Sequence, residues 1–333
     1  MEMVSAASAR PLRIVLPGGS GQVGQALARH FQECGHHVTV LTRGPYTAPW
    51  HTVHWDGRDQ GPWIETLEGA DVCINLAGRS VNCRYTAENR AEIYNSRIQT
   101  TRLLNDVIAW MADPPRLWLN ASTATIYRHA LDREMDEATG ELGGNEFISG
   151  RRRAPETWNF SVRVARDWEA AFFETPAPRT RKVALRSAIT LSPTPGNAFQ
   201  ILSSLVRMSL GGRQGNGRQY VSWIHEDDFA RAVDFLIEHE ELDGPVNIAA
   251  PHPLPNREFM EALRDAWEMP NGFPAPSLLI ELGAFFLRTE SELVLKSRRV
   301  VPGRLLDAGF EFAFPDWPDA ADDLVRQWRH RND

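Results

Sequence analysis

The chain has 333 residues, 42% of them apolar and 24% charged, enough to bury a full core in one large domain or two lobes and too apolar for disorder. Its formal charge of −7 lacks the basic surplus of a nucleic-acid protein. No run of about 18 apolar residues is present to span a membrane, and Met1 to Arg10 has no apolar stretch that would make it a signal peptide. Cys34, Cys73 and Cys83 are odd in number and match no zinc spacing, so a reduced, cytoplasmic chain without a metal site is expected. Lys182 and Lys296 are its two lysines, so any chemistry that needs one has two places to look.

In chain order, Leu12 to Leu16 is a short β-branched strand that runs into Pro17-Gly18-Gly19-Ser20-Gly21. Val23, Leu27 and Phe31, four residues apart, mark one face of a helix. His37 to Leu41 and Val72 to Leu76 read as two more buried strands, the second ending at Ala77-Gly78. A helix is predicted from Ala87 to Met111, then a strand from Leu117 to Ala121. A further helix and strand follow at Val162 to Phe173 and Val183 to Leu191. Between the two units, Thr139 to Asn159 reads as a long polar loop. Continuously apolar strands alternating with helices predict a parallel sheet covered on both faces, an α/β doubly wound fold.

The rest of the chain has a different texture. Asn197 to Leu210 is amphipathic, Gly211 to Gly217 is a glycine-rich turn and Tyr220 to Ile224 a short strand. Asp227 or Asp228 is the expected cap of a helix through Leu236, and Val246 to Ala249 is a last strand. Past Pro251, short helices broken by prolines predict a smaller, mostly helical lobe. The expected boundaries are 11–190 for a dinucleotide-binding domain, with its sheet completed from 220–250, and 191–330 for a substrate lobe.

Gly18-x-x-Gly21-x-x-Gly24 follows a strand and opens a helix, the setting in which a tight turn brings backbone close to a pyrophosphate. The helix N-terminus adds free N–H groups and a partial positive charge. NAD selection calls for a carboxylate at the end of the second strand, and none stands between Glu33 and Asp56. Thr42-Arg43 occupies that place, and a guanidinium there pairs with a ribose 2′-phosphate. The phosphorylated cofactor, NADP(H), is therefore expected.

Several stretches together resemble the epimerase-like family of extended (atypical) short-chain dehydrogenases/reductases, NADP(H)-binding proteins often called sugar-nucleotide epimerase family proteins. They are Gly18-Gly19-Ser20-Gly21-Gln22-Val23-Gly24, Val40-Leu41-Thr42-Arg43, Asn75-Leu76-Ala77-Gly78 and Ser96-Arg97-Ile98-Gln99-Thr100-Thr101. Arg166-Asp167-Trp168-Glu169, Ser222-Trp223-Ile224-His225-Glu226-Asp227-Asp228 and the tail from Ser297 to Phe310 extend the likeness over nearly the whole chain. The resemblance implies a Rossmann domain, a substrate lobe and the family's small C-terminal domain from about residue 275. It places cofactor contacts on Gly18, Gly19, Ser20, Gly21, Gln22, Val23, Gly24, Thr42, Arg43, Leu76, Ala77, Gly78, Glu92 and Arg97. An ordinary helix-surface salt bridge is the plain alternative for Arg97.

Classical members of the wider superfamily use a Ser/Thr hydroxyl with a Tyr-x-x-x-Lys pair, the lysine lowering the tyrosine's pKa. Here Tyr46, Tyr85, Tyr94, Tyr127 and Tyr220 are followed four residues on by Trp50, Asn89, Ile98, Leu131 and Ile224, so no tyrosine has its lysine. Aligning Trp168-Glu169 with the active-site helix puts Ser161 in the tyrosine register and Ala165 in the lysine register. The hydroxyl side survives in Ser122 and Thr123, with Thr123 in the catalytic register and a backbone cap as its alternative role. Tyr127 matches a packing tyrosine yet stands near enough to be an acid. His225 is expected to be a structural histidine. For the substrate, Arg151-Arg152-Arg153, Arg186 and Arg218-Gln219 are anion-binding candidates.

Two functions are therefore carried forward. One is an NADPH-dependent oxidoreductase or epimerase acting on a sugar nucleotide or another small carbonyl or hydroxyl compound. The other is a non-catalytic NADPH-binding regulatory or protein-interaction partner, a cell-division-inhibitor-like protein. Neither calls for nucleic acid or membrane, and a homodimer stays open.

Overall fold

A computed structural model describes residues 10–144, 147–149, 152–277, 280 and 290–332. The first half-unit is β1 (Arg13–Pro17), α1 (Gln22–Glu33), β2 (His37–Thr42), β3 (His51–His54) and β4 (Val72–Asn75). Next come α2 (Ala87–Trp110), β5 (Leu117–Thr123), the small strands β6 (Phe147–Ser149) and β7 (Arg152–Arg153), α3 (Glu156–Phe173) and β8 (Arg181–Ser187). Then follow β9 (Ile189–Leu191), α4 (Ala198–Arg207), β10 (Tyr220–Val221), β11 (Trp223–His225), α5 (Glu226–Glu238), β12 (Gly244–Ile248), β13 (Leu254–Pro255) and α6 (Asn256–Ala266).

The main sheet has seven strands in the order β3-β2-β1-β4-β5-β8-β12, every pair parallel. The strand order reverses between β1 and β4, and in such sheets ligands settle in the crevice beyond the carboxyl ends at that point. The apolar runs are continuous because both faces are covered. Ile14 and Leu16 pack with Leu27 and Phe31 of α1 and Val233 and Leu236 of α5. Their neighbour Val15 faces the other way, onto Leu104 and Val107 of α2 and Phe172 of α3. The doubly wound α/β fold read from the sequence is the fold observed.

A separate core joins Phe199 and Val206 of α4, Phe259 and Leu263 of α6 and the final helix Trp317–Asn332. Trp317 stacks on Phe259 with centroids 4.1 Å apart and meets Trp223 edge-on at 5.1 Å. The tryptophans Trp118, Trp223 and Trp317 are thus core rather than crevice wall.

Four local expectations are corrected. The edge strand β3 was not foreseen: His51-Thr52-Val53-His54 lacks an apolar run because one side of an edge is wet. The polar loop predicted to reach Asn159 ends earlier, since α3 starts at Glu156 behind Pro155, and β6 and β7 pair antiparallel within it. The first turn, Glu156-Thr157-Trp158-Asn159, carries Trp158 as its one apolar residue, which hid that start. The strand expected at Tyr220 to Ile224 is two strands outside the main sheet, β10 pairing with β13 and β11 with β9. Finally, neither Asp227 nor Asp228 caps α5. His225 Nδ1 accepts from Asp227 N at 3.1 Å, and a ring nitrogen does the work usually given to a carboxylate.

Candidate functional site

The glycine turn is shaped by contacts its own backbone makes. Gly18 has φ +75°, and a Cβ there would lie 2.7 Å from both N and Cα of Ala77. A Cβ on Gly24 would lie 2.4 Å from Gly19 Cα, so glycine here lets α1 sit against the turn. Gly21 differs: its Cβ would meet nothing nearer than Gly18 O at 3.7 Å. Internal packing does not require that glycine, and the position faces a cavity. Pro17 gives up a donor, but its carbonyl accepts from Leu76 N at 2.8 Å and Gly18 N reaches Leu41 O at 2.9 Å, so β1 still meets both neighbours. Gly21 caps α1 with no side-chain bond, which leaves the helix N-terminus open to an anion.

Two cavities meet above this turn. The first, about 580 Å³, lies over β2 and is lined by Gly18, Gly21, Thr42, Arg43, Leu76, Ala77 and Glu92 among others. Thr42 Oγ1 donates to Ser20 Oγ at 3.2 Å and ties the turn to the end of β2. Arg43 is exposed at the rim, next to Arg58 and Arg79, which the sequence did not single out. Arg79 is spoken for by Glu92, with which it pairs.

The second cavity, about 460 Å³, shares Leu76 and Gly78 with the first and continues over β5 past Gln22, Val23, Arg97, Ser122 and Thr123. Gln22 Nε2 is buried there with no hydrogen-bond partner among the described residues. Arg97 donates to Ile93 O at 3.0 Å and lies 5.1 Å from the Trp168 ring centroid. No carboxylate among the described residues pairs with it, so the helix-surface salt bridge is not formed. Burial lowers its pKa to about 10, which leaves it charged at neutral pH and in want of an anion.

The two strand-end hydroxyls of β5 have different commitments. Ser122 Oγ donates to Glu169 Oε1 at 2.6 Å, and so spends its proton. Glu169 in turn takes a two-pronged pair from Arg186, at 2.8 Å and 2.7 Å. Thr123 Oγ1 only accepts, from Thr125 N at 3.2 Å, which leaves its own proton for a ligand.

Tyr127 is a different case. Its hydroxyl donates to Asn247 Oδ1 at 2.9 Å and accepts from Arg186 Nη1 at 2.9 Å. Burial pushes its pKa up, against the pull of Arg186 and Asn247, so it sits as a neutral, occupied phenol joining β5 to β12. Arg186 is therefore locked into this cluster and is not a free anion clamp. Arg218 is exposed, and Gln219 Nε2 is used by Gln214 O at 2.8 Å and Val294 O at 3.3 Å. Arg151 lies outside the described residues, and Arg153 is exposed on β7.

His225 is fully buried, stacked on Phe314 with centroids 4.2 Å apart, and Asp228 accepts from Ala313 N and Phe314 N at 2.8 Å each. Both hold the C-terminal segment down. Of the two lysines, Lys182 is bound by Asn105 Oδ1, Phe172 O and Thr175 O, away from the cavities. Lys296 reaches Thr125 O at 2.8 Å, just under the hydroxyl site. Glu292 and Arg298 from the same segment also line the second cavity. Nothing in the local sequence marks Glu292.

Family models match in two places: the NAD dependent epimerase/dehydratase family over residues 14–146, and a domain of unknown function (DUF1731) over residues 275–324. The Mus musculus epimerase family protein SDR39U1 is 31% identical over 320 residues, which cover 94% of this chain and 100% of the relative. An epimerase family protein of Staphylococcus epidermidis is 29% identical over 314 residues, 94% of this chain and 99% of that one. The crystal structure of human SDR39U1 (isoform2) with NADPH is similar at a TM-score of 0.81 and 28% identity, over 95% of this chain and 99% of that chain. The resemblance read from the motifs is borne out.

Proposed function

The chain belongs to the NAD-dependent epimerase/dehydratase family, in the branch that also carries DUF1731, and on that premise we propose that it is an NADPH-dependent oxidoreductase or epimerase of small carbonyl or hydroxyl compounds. The observation that carries this reading is the meeting of the two cavities at Leu76 and Gly78, one leading to Arg43 and the other to Thr123. A dinucleotide fits that path by the chemistry of its walls. The orphaned Gln22 amide calls for an acceptor, the buried Arg97 for a negative charge, and the open position of Gly21 leaves room for close approach; together they suit an extended anionic ligand.

In this reading Gly18, Gly19, Ser20, Gly21, Gln22, Val23 and Gly24 hold the pyrophosphate at the start of α1. Thr42 and Arg43 take the adenosine ribose and its 2′-phosphate. Leu76, Ala77 and Gly78 form the backbone floor, with Arg97 beside it and Glu92 holding Arg79. The bound dinucleotide supplies or accepts a hydride. The chain's own part is to orient the substrate oxygen, and Thr123 donates to that oxygen with the proton its turn leaves free. Sugar nucleotides are one substrate class for this site, and simple aldehydes and ketones are another. A purely regulatory role gives no reason for a hydroxyl-lined cavity beside the nicotinamide end.

The test is NADPH consumption, followed by absorbance, together with epimer formation, followed by NMR, across a panel of aldehydes and sugar nucleotides, the keto-sugar nucleotides among them. Thr123→Ala is expected to lower turnover by about 10²-fold while NADPH fluorescence titration stays unchanged. Undiminished turnover in that variant removes Thr123 from the chemistry. Arg43→Ala is expected to weaken NADPH binding by about 10–100-fold and leave NADH binding alone, because only the 2′-phosphate loses a charge-assisted bond. Equal loss for both cofactors would show that Arg43 reads something else.

A further inference from the structure

Reducing a carbonyl takes a proton as well as a hydride, and the tyrosine–lysine pair that would supply it is missing from this chain. The second cavity holds another source. Ser161, on α3, lines that cavity together with Thr123, and its Oγ donates to Glu292 Oε2 at 2.5 Å. Glu292 opens a single helical turn, Glu292–Leu295, 131 residues further on, and is only 1% exposed although it borders the cavity. Its other oxygen lies 3.5 Å from Arg298 Nη2, a loose pairing. Arg298 Nε is drawn off to Thr125 Oγ1 at 3.1 Å. On the other side of Ser161, the Tyr85 hydroxyl stands 3.4 Å from Oγ.

We propose that Glu292 is the proton reservoir of the active site and that Ser161 is the hydroxyl through which its proton reaches the substrate oxygen. The inference rests on the oxidoreductase reading above. It gives the C-terminal segment a chemical task, delivering an acid to a cavity built by the dinucleotide-binding sheet.

The groups around Glu292 decide its protonation. Burial raises its pKa from the ordinary carboxyl value, Arg298, Lys296 and the hydrogen bond from Ser161 pull the other way, and Glu290 reinforces the rise. Tyr85 is pushed up to about 12, first by burial and then by Glu292, and remains a neutral phenol. With its proton on, Glu292 donates to Ser161, the hydrogen bond reverses, and the Ser161 proton can turn into the cavity.

The step balances as follows. The substrate carbon gains a hydride, supplied by reduced nicotinamide dinucleotide as co-reactant, and the C=O π pair takes the Ser161 proton. The Ser161 oxygen takes the Glu292 proton as that O–H bond breaks. The carbonyl is reduced to an alcohol, the dihydronicotinamide is oxidised, and Glu292, now a carboxylate beside Arg298, regains a proton from water.

Two readouts test it. In infrared difference spectra at neutral pH, the protein without cofactor should show a carboxylic-acid carbonyl band that Glu292→Gln removes. With the best probe from the aldehyde and keto-sugar-nucleotide panel, wild-type kcat/KM should fall as pH rises through the raised Glu292 pKa. Glu292→Gln should be about 10²-fold slower or more, with that fall gone. Ser161→Ala, which leaves the Glu292–Arg298 pair in place, should be slowed similarly, and Ser161→Thr, which keeps a hydroxyl, should recover most of the rate. NADPH titration and melting curves confirm that each variant is folded.

An ionised Glu292 at neutral pH, or a Glu292→Gln variant with the wild-type rate and pH profile, overturns the relay and leaves the oxidoreductase reading standing. Wild-type protein that neither consumes NADPH nor epimerises any member of the panel overturns both.

Discussion

Gly18→Ala is expected to abolish dinucleotide binding and to destabilise the fold by roughly 2–5 kcal/mol in a denaturant titration. Two costs combine. The left-handed conformation at φ +75° strains any residue with a Cβ, by about 1–2 kcal/mol. The added methyl also meets backbone, N and Cα of Ala77, which cannot rotate away, and overpacking of that kind costs about 1–3 kcal/mol. Ala77 N is held by Asn75 Oδ1 at 3.1 Å, and Asn75 Nδ2 by Asn120 Oδ1 at 2.7 Å, so the push reaches a buried amide network between β4 and β5.

Gly21→Ala is the matching control. With φ −73° and open space around its Cβ, it should stay within about 0.5 kcal/mol of wild type while NADPH affinity falls at least about 10-fold. A Gly21→Ala protein that binds NADPH normally would mean that no ligand approaches this turn closely.

Glu169→Gln should destabilise the protein by about 3–5 kcal/mol, again read by denaturant titration, because it leaves the Arg186 guanidinium buried without a counter-charge. Arg186 is 6% exposed and Glu169 8%, so water cannot take over the pairing. The damage should reach the chemistry as well. Ser122 and Arg186 are left to share one amide oxygen next to Thr123, and Tyr127 is left beside an uncompensated cation. Removing both charges with Glu169→Met and Arg186→Met together should restore much of the stability, since a buried ion pair replaced by apolar groups of similar volume is often close to neutral. A single Glu169→Gln as stable as wild type would show that solvent reaches the pair.

The sequence was most readable where one physical demand dominates. Ile14, Val15 and Leu16 announce a buried strand because both faces of that strand are covered. The glycine turn is legible because Gly18 and Gly24 are forced by backbone contact. Thr42-Arg43 was found by counting forward from that turn, whereas Arg58 and Arg79 reach the same cavity from stretches with no motif. Legibility failed where a side chain does an unusual job or where the fold joins distant segments. His225 caps a helix in front of two aspartates that look better suited, and Tyr127 is drawn away by Arg186 and Asn247. Ser161 looked like a vacated register, and only the folded chain brings Glu292 to it across 131 residues.

The return of the C-terminal segment also bears on when the site can be completed. Lys296 binds Thr125 O, Ser297 Oγ donates to Ala130 O and Val300 bridges to Met135, so the far end of the chain closes over the edge of β5. Such contacts of high sequence separation form late, after the loop entropy between them has been overcome. The same segment puts Leu305 and Phe310 into the core with Ile14, Leu16 and Phe31, so both the packing under the first strand and the far wall of the second cavity wait for the last part of the chain to be synthesised. A prematurely ended product is expected to lose that packing together with Glu292 and Arg298 from the cavity.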